Sequence, residues 1–296
     1  MRDDAPSRTA QWVAAARGMG RLLPEAVRLA DDPYGLAFSS SSITRLIERT
    51  RESRPDRAEA IAHIPGVSTW IVYMQVRTRL IDDAVRNFVA AGGRQVIVLG
   101  AGYDCRALRL PELAGARVFE VDHPATQRHK HTVLDRLGVR SPARYLEWDF
   151  EIQPMDDLPG ALGDAGHDAA APSLTIWEGV TMYLTEAAID ASLRAIAIWS
   201  AAGSEFAMTY IAKARLRRPP LATRAFLALV QQLGEPFKFG WIPDELPGYL
   251  EARGFALVRD ISMRDAARAL MPAEFAAVVL RADSYAAFAR RLPGVA

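Results

Sequence analysis

Four short stretches hold the residues whose types and spacing could do chemistry. In "QVIVLGAGYDC" (95–105) a mostly β-branched apolar run ends in Gly100-Ala101-Gly102, and Asp104 follows at once. In "VFEVDHP" the run ends at Asp122 and His123, in "YLEWDF" at Asp149 and Phe150, and in "SLTIWEG" at Glu178. Glycines at the end of a buried strand let a ligand approach the main chain closely. A carboxylate at a strand tip accepts hydrogen bonds from hydroxyls or pairs with a cation. Asp122 lies 20 residues past Gly102, the spacing of an acid that clamps the hydroxyls of a ribose.

NAD and S-adenosylmethionine both carry such a ribose, and the turn separates them. A dinucleotide turn needs a third glycine for helix packing and for a pyrophosphate on the helix N-terminus. Cys105 stands at that position, and Asp104 would repel a pyrophosphate. S-adenosylmethionine has no phosphate and bears a sulfonium and an ammonium, which suit an acidic rim. The residues therefore favour S-adenosylmethionine, with S-adenosylhomocysteine as product; an NAD(P)-dependent oxidoreductase is the alternative. Two of the acids carry a second reading. Asp104 could cap the helix behind the turn, and Asp149 could be a turn acid. His123 falls beside the ribose acid, near the expected adenine, whereas His129 and His131 read as solvated. The histidines show no ligand spacing, so no metal is expected. Tyr183, in "TMYL", would orient the acceptor or serve as a core aromatic, and Phe237, Phe239 and Trp241 would pack a lid or touch the acceptor.

The elements that must position these residues follow from periodicity. Short apolar runs at 95–102, 117–124, 143–150, 173–179 and 204–211 alternate with helical patterns at 125–137 and 186–199. Buried strands alternating with helices make an α/β fold, a parallel sheet covered on both faces. Ligands of such sheets sit at the carboxyl ends of the strands. A long helical pattern over 68–91 precedes them and ends at Gly92-Gly93. Residues 9–30 carry helical spacing divided by Pro24 into two helices. A helix capped near Ser42 and a short piece between Pro55 and Pro65 follow. The interval 212–254, with a helix at 222–233, is too long for a structureless loop and reads as a lid. Residues 255–262 and 277–290 are late β-like or mixed segments. The expected organisation is an N-terminal cap and lead-in helix over 1–91, a Rossmann-like core over 92–211, a lid over 212–254, and the rest of the sheet over 255–296.

Bulk properties narrow the partners. The chain has 296 residues, half of them hydrophobic, and a net charge of +1 from 36 basic and 35 acidic residues. That balance argues against a nucleic-acid or membrane-surface field. The cluster "RLRRPP" (215–220) reads as a solvated loop. One cysteine, Cys105, allows no internal disulfide. With no apolar leader and no long apolar stretch, the expectation is a soluble cytoplasmic protein acting on a small molecule. No heptad seam marks an oligomer.

"VIVLGAGYDCRALRL", "VFEVDHPATQRHK" and "EGVTMYLTEAAID" resemble the leucine carboxyl methyltransferase family. "SRTAQWVAAARG", "DPYGLAF", "VRTRLIDDAV" and "GEPFKFGWIPDELPGYLEARGF" extend the likeness over most of the chain. The resemblance implies a class I methyltransferase sheet with a helical cap, and O-methylation as in the natural-product branch. It implies that Gly100 and Gly102 line the methionine and ribose part of the cofactor. Asp122 would hold the ribose, Asp149 and Phe150 would border the adenine, and Glu178 would face the amino end. Arg77, in "VRTRL", would pair with the methionine carboxylate, and Arg8, in "SRTA", would add a second contact. The acceptor oxygen would be a carboxyl, already ionised at neutral pH, or a hydroxyl, which needs a base. A protein C-terminal carboxylate is the alternative acceptor.

Overall fold

The computed structural model describes residues 6–39, 49, 64, 66–217, 236–279 and 283–293. Strand β1 (Gln95–Leu99) is buried at all five positions, which a β-branched run can only be when both faces of its sheet are covered. It pairs in parallel with β2 (Arg117–Asp122) on one side and β4 (Leu174–Trp177) on the other. β3 (Arg144–Glu147) extends the sheet beyond β2, and β5 (Glu205–Ile211) extends it beyond β4, both in parallel. The final strands, β6 (Phe255–Ser262) and β7 (Ser284–Arg291), are antiparallel: β7 inserts between β5 and β6. The seven-stranded order is β3-β2-β1-β4-β5-β7-β6. The chain changes direction between β1 and β4, so the carboxyl ends of β1, β2 and β4 diverge around one crevice.

Helices cover the sheet. α1 (Arg8–Met19) starts at Ser7, whose Oγ accepts the Ala10 N–H at 3.1 Å. α2 (Val67–Ala90) buries Ile71, Val76, Ile81 and Val85 and stops before Gly92, whose φ of 97° suits glycine. α3 (Arg106–Arg109) is one turn after the glycines, and α4 (Pro124–Arg136) follows β2. α5 (Leu158–Asp164) and α6 (Glu186–Trp199) pack the other face. Trp199, fully buried, donates its indole N–H to Thr175 Oγ1 of β4 at 2.9 Å and ties α6 to the sheet. α7 (Lys213–Arg217) leaves β5, α8 (Leu246–Glu251) precedes β6, and α9 (Met263–Leu270) and α10 (Ala273–Ala276) precede β7.

Two sequence expectations change and a third is sharpened. After Pro24 there is a single 3-10 turn, Glu25–Val27, not a second helix. Residues 215–217 of the basic cluster continue helix α7 instead of a loop. The segment 277–290, read as β-like or mixed, carries strand β7 in its carboxyl half, as the first of those readings has it. The helix capped near Ser42, the piece between Pro55 and Pro65, and the helix at 222–233 lie outside the described residues. Among the described residues no helix is long and apolar enough to cross a membrane.

Candidate active site

At the carboxyl ends of β1, β2 and β4 lies a cavity of about 370 Å³, within the size range of small-molecule sites. Its floor is the glycine turn. Gly100 (φ 69°) and Gly102 (φ 51°) adopt left-handed backbone, and a Cβ on Gly100 would stand 2.4 Å from Val180 Cγ2. The Gly100 and Ala101 N–H groups donate to the Val121 carbonyl at 2.9 and 3.1 Å, locking the turn onto β2.

Asp122 ends β2 under this turn. Its Oδ2 accepts the Gly102 N–H at 2.6 Å and its Oδ1 the His123 N–H at 2.7 Å. Burial raises its pKa, against the two main-chain N–H groups that lower it. Each carboxylate oxygen has a second lone-pair direction for a further donor. His123 caps α4 by accepting the Ala125 N–H at Nδ1 (3.2 Å), and its Nε2 lies 3.4 Å from Asp149 Oδ2. Asp149 Oδ1 accepts the Glu151 N–H at 2.9 Å. Asp149 is therefore a turn acid and also lines the cavity, beside Phe150.

The acidic rim expected from sequence is not bare. Glu178 Oε1 accepts from Arg77 Nε at 2.6 Å, and its Oε2 lies 2.8 Å from Arg106 Nη2. Burial pushes the Glu178 pKa up, but Arg106, Arg77 and Arg17 outweigh it and hold the group at about 2. Asp104 pairs with Arg106 through its side chain and accepts the Arg106 N–H at 2.6 Å. Burial would raise the Asp104 pKa; Arg106, Arg17 and Lys130 hold it well below the usual carboxylate range. Arg106 Nε reaches Asp82 Oδ1 at 2.8 Å, and Arg109 Nη1 and Nη2 meet the same carboxylate at 2.6 and 2.7 Å. The arrangement is a buried lattice of alternating charge. A ligand end carrying one positive and one negative group fits it better than a lone cation would.

Sequence reasoning missed Arg17, Arg106 and Lys130. Arg17, on α1, pairs with Asp32 (Nε to Oδ2 2.9 Å), donates to the Tyr103 carbonyl and faces the cavity. Asp32 in turn accepts the Tyr34 and Gly35 N–H groups at 3.0 Å each. Lys130, on α4, donates to the Asp104 carbonyl and the Glu120 carboxylate beneath the turn. Arginines scattered along the chain gave no signal; the interval of three residues between Arg106 and Arg109 on one short helix was the available hint. His129 also differs from expectation. It is half-buried, with Nδ1 2.7 Å from the Tyr103 hydroxyl, while His131 is exposed as read.

The upper wall comes from α1, the 3-10 turn Thr181–Tyr183 and residues 236–238. The Lys238 and Phe239 N–H groups donate to the Met182 carbonyl at 2.6 and 3.3 Å. Tyr183 lines the cavity, with the Phe237 ring edge-on at 5.2 Å. Phe239 and Trp241 pack on each other at 4.8 Å, and Trp241 is buried against Tyr210. Arg8 begins α1 and is exposed; its neighbours Ser7 and Thr9 line the cavity. Thus Arg77, Gly100, Gly102, Asp104, Asp122, His123, Asp149, Phe150, Glu178 and Tyr183 converge on one cavity, and Arg8 stands outside it. Among the described residues no cluster of three or more His, Cys, Asp or Glu side chains could hold a metal ion.

Comparisons with known proteins bear on the family and the fold. Residues 10–197 match the family described as leucine carboxyl methyltransferase. A Frankia alni protein named "Putative S-adenosyl-L-methionine-dependent methyltransferase" is 31% identical over 261 residues, 88% of this chain and 86% of its own. A Streptomyces coelicolor protein of the same description is 36% identical over 180 residues, and there the match spans 61% of each chain. A crystal structure of a duf574 family protein from Streptomyces avermitilis superposes with a TM-score of 0.57 at 18% identity, covering 94% of this chain and 97% of that one. A "putative methyltransferase" from Thermobifida fusca gives 0.55 at 17%, covering 93% and 97%. At that identity the two structures speak to the fold.

Proposed function

Because the chain belongs to the leucine carboxyl methyltransferase family, we propose that it moves a methyl group from S-adenosylmethionine to an oxygen of a small organic acceptor. The observation that carries this is Asp122. It is a half-buried carboxylate under a glycine turn, held by two main-chain N–H groups, with acceptor capacity left for two vicinal hydroxyls. The lattice above it supplies Arg77 and Glu178 to the carboxylate and ammonium of an amino-acid end. His123, Asp149 and Phe150 border the adenine. Asp104, engaged by Arg106, shapes the turn; Arg8 completes the cap from outside the cavity. When bound, the cofactor supplies a methyl group already activated by its sulfonium.

The chain's own task is to align the acceptor and exclude water. Tyr183 lies on the wall where an acceptor would sit. Glu178 and Asp104 are poor general bases, because their arginine partners hold them ionised far below neutral pH. A carboxylate needs no base, so a carboxyl oxygen is the favoured acceptor over a hydroxyl. We assign 212–254 as the acceptor-selecting lid, 1–91 as the cap and lead-in helix, and 92–211 with 255–296 as the core. Calorimetry tests the cofactor: S-adenosylhomocysteine should bind and NAD should not, and the reverse would overturn the reading. Isotopically labelled methyl transfer to a library of small acids, alcohols and peptides then separates small carboxylic acids from protein C-termini.

A further inference from the structure

The cavity has two charge regimes. At its floor the cations are matched: Arg77 with Glu178 at 2.6 Å and Arg17 with Asp32 at 2.9 Å. Away from the floor the lining includes the apolar Val13, Val180, Leu184 and Ala188 with Tyr183, the polar Ser7, Thr9 and Thr185, and one acid, Glu151. Lys238 is the cation of that lining. Its main chain is pinned to Met182, one residue from Tyr183, and both Lys238 and Tyr183 line the cavity. No carboxylate of the described residues pairs with its ammonium in the way that the floor arginines are paired. The side chain is exposed.

We propose that Lys238 is a specificity-determining residue that selects an organic anion with an apolar body, its negative group at Lys238 and its body against Tyr183 and the aliphatic wall. The inference rests on the methyltransferase reading of this cavity. It adds the residue that reads the acceptor's charge. An uncharged or cationic acceptor would leave the ammonium facing an apolar body, whereas an anion gains a charge-assisted contact. Being exposed, the contact acts on affinity and encounter more than on the chemical step.

The test uses 2-naphthylacetate, its uncharged amide and 2-naphthylethylamine as probes, titrated into the full chain saturated with S-adenosylhomocysteine. For the unaltered protein the acid should bind about threefold tighter than the amide, the scale of one exposed charge pair. Lys238→Ala should abolish that preference, Lys238→Arg should keep it, and Lys238→Glu should shift it toward the amine. Equal binding of acid and amide, a preference that survives Lys238→Glu, or no binding of any probe would overturn the proposal. S-adenosylhomocysteine affinity is read in the same samples. Its absence in the unaltered protein overturns the cofactor reading instead, and its persistence with no charge preference overturns the role of Lys238 alone.

Discussion

At the scale of the residue, Asp122 concentrates the cofactor argument. Its two oxygens hold Gly102 and His123 at 2.6 and 2.7 Å, and removing the carboxylate should cost cofactor affinity about 1.5–3 kcal/mol, the worth of hydrogen bonds to a charged group. Calorimetry of Asp122→Ala with S-adenosylhomocysteine checks this; unchanged affinity would sink the ribose assignment. A melt without ligand separates binding from folding. Residues such as Asp122 were legible because a strand tip is legible: a buried run ends, and the first acid beyond it must face the crevice. Their partners were not. That Glu178 would be gripped by Arg77 and Arg106 depends on α2 and α3 crossing the end of β4, and separations of 101 and 72 residues leave no local trace. The acids read from sequence as a bare rim are one half of a neutralised lattice.

At the scale of the element, α1 is fastened to the glycine turn through one buried pair. Arg17 and Asp32 are 7% and 1% exposed, and Arg17 also reaches the Tyr103 carbonyl. Arg17→Met strands Asp32 and should destabilise by about 3–5 kcal/mol, whereas Arg17→Met with Asp32→Asn should lose less. Urea unfolding of both variants decides it; equal losses would mean that the pair does not act as a unit. The turn itself makes a second demand. Gly100→Ala meets both a φ of 69° and Val180 at 2.4 Å, and each should cost about 1–3 kcal/mol. A thermal melt unchanged by Gly100→Ala would contradict that geometry. Strands β1, β2, β4 and β5 were readable because buried apolar runs of that length have little else to become. β7 was not. "SYAAFARR" is Ala-rich, and its strand state comes from insertion between β5 and β6, where small buried Ala286, Ala287 and Ala289 fit. The single turn after Pro24 is too short to carry a period of its own.

At the scale of the whole molecule, the lattice joins α1, α2, the glycine turn, α3 and the tip of β4, so its charge state bears on the fold as much as on the site. Glu178 sits at about 2 in the folded chain against an ordinary 4.5, and Asp104 is depressed as well. A depressed carboxylate binds its proton less readily folded than unfolded. Its contribution to stability is therefore present above the unfolded value and is lost as pH falls through the interval from 4.5 to about 2. The folded protein should lose stability progressively over that window, as the unfolded chain takes up protons that the arginine-held acids refuse. Glu178→Gln removes one such acid. It should lower stability at pH 7, where it leaves Arg77 and Arg106 short of a partner, and it should make the acid-side loss shallower. Urea midpoints at pH 7, 5, 4 and 3 compare the two chains. Midpoint curves that run parallel from pH 5 to pH 3 would mean that Glu178 titrates alike in both states, and the arginine lattice would then be geometry without the electrostatic grip assigned to it.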